Sequence, residues 1–389
     1  MPVTPPLPDA EARAVSARLQ EVLRARIEAA GGCLPFDAFM EAALYEPGLG
    51  YYSNGLTPFG EAGDFITAPE SGSLFGRCLA RSLQSVLAQL PAGDVLELGA
   101  GTGTLAVDLL RELEALGSLP ERYFILERSA AMRGLQQQSL DRLDPGLSRR
   151  VAWLEAPPAH PFSGVVLGNE VVDALPVKRF CRRAEGVMEL GVGRAQGRLV
   201  ECERAGGAEL EERVGRLAEA GGWPQDYCSE LCPALPAWTR DLAERLERGL
   251  LLLIDYGYAR AEYYHPQRTM GTLMCHYRHQ AHGDPVWFPG LQDITAFVDF
   301  TAVAEAVTDA GLRLQGFSSQ AQFLVACGID RLLGEADSGD LRRFLALSNE
   351  AKRLLLPGEM GERFKVIGAS RSLDRPVTGF GSRDLRSRL

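Results

Sequence analysis

At 389 residues, with 46% hydrophobic and 24% charged residues, the chain has the composition of a globular protein built on one main α/β domain with additions. The longest apolar run, Leu250 to Ile254, is far too short to cross a bilayer, so no membrane span is expected. A net charge of −10, with no basic cluster outside Arg383, Arg386 and Arg388, excludes a phosphate-tracking face for tight nucleic-acid binding.

The first thirty residues carry Asp9 and Glu11 and lack an apolar core segment, which argues against a secretory leader, and only weakly against an organellar one, and sets the expectation of a cytoplasmic protein. The eight cysteines are scattered, as suits reduced thiols better than a disulfide framework. Cys228 and Cys232 are the closest pair, and without a second pair at ligand spacing no structural zinc is expected.

In chain order, Asp9 to Ala30 reads as an amphipathic helix with Val15, Leu19, Leu23 and Ile27 on one face and Gly31-Gly32 as its stop. Phe36 to Leu44 reads as helical, "YEPGLGYYSNG" as a loop, and Ser71 to Leu90 as another helix. Strands and helices then alternate: Val95–Leu98, Tyr123–Leu126, Val151–Leu154, Val165–Leu167 and Leu250–Ile254 read as strands, with a helix face at Leu105, Leu109, Leu113 and Leu116. Such alternation implies a parallel sheet covered on both faces. Between the fourth and fifth strands, "KRFCRRAEGVMELGVGRAQGRLVECER" reads as an inserted antiparallel ribbon. Asp299 caps a helix through Ala310, Leu312–Phe317 is a sixth strand, 319–357 is mostly helical, and "RFKVIGAS" is a late strand. The expected organisation is an N-terminal helical cap (1–90), a core of 91–177 and 248–371 with insertions at 258–298 and 319–357, an inserted ribbon with helices (178–247), and a C-terminal tail (372–389).

The motif that carries chemistry is Glu97-Leu98-Gly99-Ala100-Gly101-Thr102-Gly103, a strand end turning into a helix. Glycine alone tolerates the required backbone and lets a ligand approach it closely, at the carboxyl ends of the strands. The spacing is G-x-G-x-G, a poorer fit to the G-x-G-x-x-G of pyrophosphate binders, and no P-loop lysine follows. Glu127 ends the second strand 28 residues after Gly99, where a carboxylate accepts from both hydroxyls of an unphosphorylated ribose. With Glu97 positioned to favour a cation or amine, the set reads as a site for S-adenosylmethionine.

The ordered motifs "GEAGDFITAPE", "LELGAGTGTL", "GNEVVDALPV", "DYG", "GTLMCHYRH", "QDITAFVDFTAVAEA" and "MGERFKVI" resemble those of the MidA-like methyltransferases, over roughly residues 15 to 370. The resemblance implies a Rossmann-like α/β fold with the seven-stranded class I methyltransferase sheet, an N-terminal helical cap and inserted substrate-side elements. It also implies S-adenosylmethionine as cofactor and, as in a mitochondrial member, methylation of an arginine on a core subunit of respiratory complex I. Ala100 and Thr102 stand where proline and a basic residue are common in the family.

A guanidinium nucleophile needs carboxylates that grip its planar fork. The fourth strand runs into Asn169-Glu170-Val171-Val172-Asp173; Glu170 and Asp173 are expected to hold the guanidinium, with Asn169 nearer the cofactor, the alternative being local capping and a turn. Asp64 and Glu70 in "GDFITAPE" are further candidates, Asp64 toward the cofactor and Glu70 toward substrate. Asp255 ends the fifth strand at the ligand edge. His276, His279 and His282 sit in what reads as a substrate-facing loop, with metal ligation as the lesser reading, and Asp293 lines the same cleft or caps the following helix. The expected activity is protein arginine N-methylation. A non-catalytic assembly factor that binds S-adenosylmethionine and grips a client through 178–247 and 258–298 is the alternative, and a nicotinamide-dependent oxidoreductase is disfavoured by the glycine spacing.

Overall fold

The computed structural model describes residues 6–56, 67–335 and 340–389. The chain folds into two compact units made of interleaved segments. One comprises Met1–Phe65, Asp173–Leu235 and Tyr258–Phe297; the other comprises Ile66–Val172, Pro236–Gly257 and Val298–Leu389.

The second unit contains the alternating strands. They are β1 (Asp94–Leu98), β2 (Tyr123–Leu126), β3 (Val151–Leu154), β4 (Phe162–Asn169), β5 (Leu246–Tyr258), β6 (Arg313–Ser319) and β7 (Phe364–Arg371), in spatial order β3-β2-β1-β4-β5-β7-β6, with the two-residue strand Val298–Asp299 also paired to β5. β3 through β5 run parallel, whereas β7 is antiparallel to both β5 and β6. Parallel strands covered on both faces are apolar without alternation, as Val165, Val166 and Leu167 of β4 and Leu250 to Ile254 of β5 are here, all buried. The helices Leu74–Leu87 and Thr104–Ala115 contribute Leu79, Leu83, Leu105 and Leu109 to the same core. Leu74–Leu87, read from sequence with the N-terminal helices, thus belongs to the sheet-bearing unit. The strand order reverses between β1 and β4, the switch point where α/β sheets open a crevice at their carboxyl ends.

The first unit contains the helices Ala10–Ala29 and Phe36–Tyr45 and the expected ribbon, Lys178–Arg183, Gly186–Ala195 and Arg198–Ala205. Asp9 caps the first helix, its carboxylate accepting from the Ala12 amide at 2.9 Å. Tyr227–Leu231 and the three-residue strand Cys33–Pro35 join the ribbon in a five-stranded sheet. Leu19, Leu23, Phe36, Phe39 and Met40 form a core with Val192 of the ribbon. A second cluster centres on Trp223, stacked on Tyr227 at 4.4 Å and donating its indole N–H to the Tyr264 carbonyl at 2.8 Å.

Two expectations are corrected in this unit. The cysteines are not all reduced: Cys33 pairs with Cys202 and Cys181 with Cys228. Cys181 and Cys228 lie opposite each other on adjacent strands, a register fixed by long-range pairing that residue spacing does not reveal. The histidine segment is also not a loop. Met274–Tyr277 and Gln280–His282 form a hairpin whose two turn residues, Arg278 and His279, have φ of 48° and 60°, the left-handed pair that a two-residue turn requires. Among the described residues, no group of three or more His, Cys, Asp or Glu side chains is placed to hold a metal, and no helix is long and apolar enough to cross a membrane.

Candidate cofactor and active site

The glycine loop leaves β1 with all three glycines left-handed: Gly99 at φ 60°, Gly101 at 52° and Gly103 at 82°. Gly103 turns the chain into the helix Thr104–Ala115, and its amide donates to the Ala100 carbonyl at 2.8 Å. A Cβ on Gly103 would meet Gln136 Cα at 3.1 Å, whereas a Cβ on Gly101 would meet nothing within 4 Å. Gly103 is therefore fixed by packing, while Gly101 presents bare backbone toward open space.

Glu97, one residue inside the strand end, is 3% exposed, and its Oε2 accepts from the Tyr123 hydroxyl at 2.7 Å. Burial pushes its carboxyl up to about 7, only partly countered by the tyrosine. Glu127 follows β2, half-buried. Its Oε1 accepts from the Ser129 amide at 2.8 Å and its Oε2 from the Gln136 side-chain amide at 3.1 Å, while burial raises its carboxyl above the ordinary range.

β4 ends at Asn169, whose Nδ2 donates to Glu170 Oε1 at 3.1 Å and whose buried Oδ1 has no hydrogen-bond partner. Glu170 itself has φ 54° and donates its amide to the Ile254 carbonyl of β5 at 2.9 Å. A left-handed glutamate costs about 1–2 kcal/mol, so the surrounding bonds must impose this turn. Asp255 is central to them: fully buried, it accepts from the Val172 amide on Oδ2 and from the Tyr256 amide on Oδ1, each at 2.9 Å. That geometry suits a brace beneath the turn. Glu70 lies in the short 3-10 turn Ala68–Ser71, half-buried, in the same unit. Asp64 lies outside the described residues.

Asp173, Asp293 and His279 belong to the first unit. Asp173 is 5% exposed and its carbonyl accepts from the Ala296 amide at 3.1 Å. Asp293, 1% exposed on the strand Asp293–Thr295, accepts from the Tyr52 hydroxyl at 2.8 Å. Burial, then the Asp293 charge, hold the Tyr52 phenol well above its ordinary value. Tyr45 stacks on Tyr52 at 5.5 Å and donates to the Ala174 carbonyl at 2.9 Å. His279 is exposed at the hairpin tip.

Residues 76–318 match the model of a family described as S-adenosyl-L-methionine-dependent methyltransferases. The chain belongs to this family, in its MidA-like branch. A crystal structure of a Burkholderia thailandensis superfamily member bound to S-adenosyl-homocysteine is 44% identical, with a TM-score of 0.95 over 99% of this chain and 100% of that one. The Drosophila melanogaster protein arginine methyltransferase NDUFAF7 homolog, mitochondrial, is 30% identical over 96% of this chain and 91% of its own length. The Bos taurus protein arginine methyltransferase NDUFAF7, mitochondrial, is 28% identical over 88% and 85%.

This methyltransferase uses S-adenosylmethionine as its cofactor, and the chain's residues fit that group. The open space beyond Gly101 and the orphaned acceptor on Asn169 are features a bound nucleoside would fill. One expectation falls: the curated relatives are named as mitochondrial proteins, which overturns the cytoplasmic reading. That reading rested on the missing apolar segment near residue 1, a feature of secretory leaders that organellar leaders do not need.

Sequence reasoning missed two features of the methyltransferase. Gln136 was unread, although its signal is present: in the helix Ala130–Leu140 the buried positions are Met132, Gln136 and Leu140, so a polar residue occupies the middle of an apolar stripe. The Tyr45–Tyr52 pair lay in a segment read only as turn, where aromatic residues carry no periodic signal.

Proposed function

We propose that this methyltransferase methylates an arginine guanidinium of a protein client, a core subunit of respiratory complex I being the client that the family resemblance implies. The observation that carries the reading is Glu170, held left-handed directly after β4, the strand beside the glycine-loop strand. Relatives named protein arginine methyltransferases support it.

When bound, S-adenosylmethionine supplies an electrophilic methyl on a sulfonium sulfur. The chain must then align a nucleophile and keep water away from it. Glu170 and Asp173 are the carboxylates assigned to the guanidinium: each accepts N–H donors from the planar fork, orients one nitrogen lone pair, and offsets the positive charge. A carboxylate oxygen of Glu170 is the assigned acceptor for the proton that the nitrogen gives up.

The test is incubation of the protein with methyl-labelled S-adenosylmethionine and lysate from cells lacking it, followed by mass spectrometry of labelled proteins. Label on an arginine is expected. Cofactor binding with no label, or label on another residue type, overturns the assignment, and the first result favours an S-adenosylmethionine-binding assembly factor instead.

A further inference from the structure

Gln136 is fully buried, yet it hydrogen-bonds to three different parts of the cofactor end. Its Nε2 donates to the Gly101 carbonyl and to Glu127 Oε2, both at 3.1 Å, and its Oε1 accepts from the Trp153 indole N–H at 2.8 Å. The indole nitrogen only donates, so Trp153, at 2.8 Å from Oε1, fixes which end of the amide is oxygen. Nε2 must then face the loop and the glutamate, and both of its hydrogens are used.

For Glu127 this has a geometric result. Oε2 receives Gln136 and Oε1 receives the Ser129 amide, so the carboxylate plane is pinned from two sides. Each carboxylate oxygen has two lone-pair sites, so Glu127 keeps acceptor capacity while its orientation is fixed. A carboxylate whose two oxygens are held at fixed orientation matches the two hydroxyls of a vicinal diol. The same amide ties that carboxylate to Gly101, the glycine whose backbone faces open space, and the close approach of Gly103 to Gln136 Cα locks the helix against the loop.

We propose that Gln136 is a positioning and specificity residue, which orients Glu127 toward a cis-diol and couples that contact to the glycine loop, so that the site selects an unmodified ribose. The inference rests on Glu127 being the ribose acid. It goes beyond that reading by assigning the discrimination between sugars to a residue that does not touch the sugar.

The test compares dissociation constants for S-adenosyl-homocysteine and its 2′-deoxyribose analogue, by calorimetry, in the wild type, Gln136→Met, Gln136→Glu and Glu127→Gln. The wild type is expected to prefer the hydroxylated ligand by about tenfold or more, the size of one well-made hydrogen bond. Gln136→Met should reduce that ratio to within about twofold. Gln136→Glu keeps the acceptor for Trp153 and loses the two donors, so it should act in the same direction if Gln136→Met does not fold. Equal weakening of both ligands in a folded Gln136 variant, with the ratio intact, overturns the proposal and leaves Gln136 a packing residue. A ratio unchanged in Glu127→Gln instead removes Glu127 from the ribose, and the proposal falls with it for that separate reason.

Discussion

Tyr123 donates its hydroxyl to Glu97 Oε2 at 2.7 Å between two paired parallel strands, where both side chains are buried. The carboxyl responds to that environment by rising to about 7, burial being the main cause. In the free protein Glu97 is therefore largely protonated below pH 7. If it meets the amine of the cofactor, binding must ionise it, and affinity for S-adenosyl-homocysteine should rise between pH about 5.5 and 7.5 and level off above, losing up to about tenfold per unit below 7. Glu97→Gln should flatten the profile in calorimetric titrations, whereas a flat wild-type profile would remove Glu97 from the cofactor.

The same shift has the opposite sign for stability without ligand. A carboxyl whose folded value is raised contributes stability that is fully present below its unfolded value of 4.5 and is lost as pH rises through about 7. The loss amounts to about 3 kcal/mol. Thermal unfolding should show Glu97→Gln gaining on the wild type as pH rises from about 5 to 8.

Two glycines of one loop should respond differently to alanine. Both pay about 1–2 kcal/mol for a left-handed alanine. At Gly103 the new methyl also meets Gln136 Cα at 3.1 Å, so Gly103→Ala should unfold at markedly lower denaturant. At Gly101 there is no protein neighbour within 4 Å. Gly101→Ala should keep most of its stability and lose cofactor affinity by more than about tenfold, since the methyl enters the ligand's space.

The parallel part of the sheet was legible because its strands are mostly apolar runs, the pattern that parallel strands under helices demand. β1, β2 and β3 fall within a residue of where their residues place them, and Asp299 caps its helix through the Thr301 and Ala302 amides as read. What stayed hidden depends on pairing across long separations. Cys33–Pro35 is a strand only because Gly186–Ala195 pairs with it, and Cys33 meets Cys202 across 169 residues. The site follows the same division: local glycine chemistry was readable, but Gln136 and Tyr52 act through partners that sequence does not name.

The Cys181–Cys228 bridge closes 47 residues of the first unit. Loop-closure entropy sets its contribution at up to about 4 kcal/mol. Cys181→Ala with Cys228→Ala should lower the melting temperature by the corresponding amount, while affinity for S-adenosyl-homocysteine stays within about twofold of wild type, because Gly99, Gly101, Gly103 and Glu127 all belong to the other unit. A loss of cofactor affinity equal to the loss of stability would contradict that independence.

Asp173 is tested by Asp173→Asn, which preserves volume at a 5% exposed position. Removing one charge-assisted grip on a guanidinium should cut methyl transfer by about a hundredfold, with cofactor affinity within a few-fold. Full activity in that variant would take Asp173 out of the mechanism.

Asp255 separates a brace from a substrate ligand. Its two oxygens accept from the Val172 and Tyr256 amides, so Asp255→Asn sets an NH2 group against one of those N–H donors, at a cost of about 1–3 kcal/mol. As a brace, Asp255 acts through the left-handed turn at Glu170: the variant should lose stability, show faster hydrogen exchange at the Val172 and Tyr256 amides, and lose kcat with little change in KM for the client. A substrate ligand would instead raise KM for the client with kcat little changed. Because Asp255 has no exposed surface, the first pattern is the one its geometry requires.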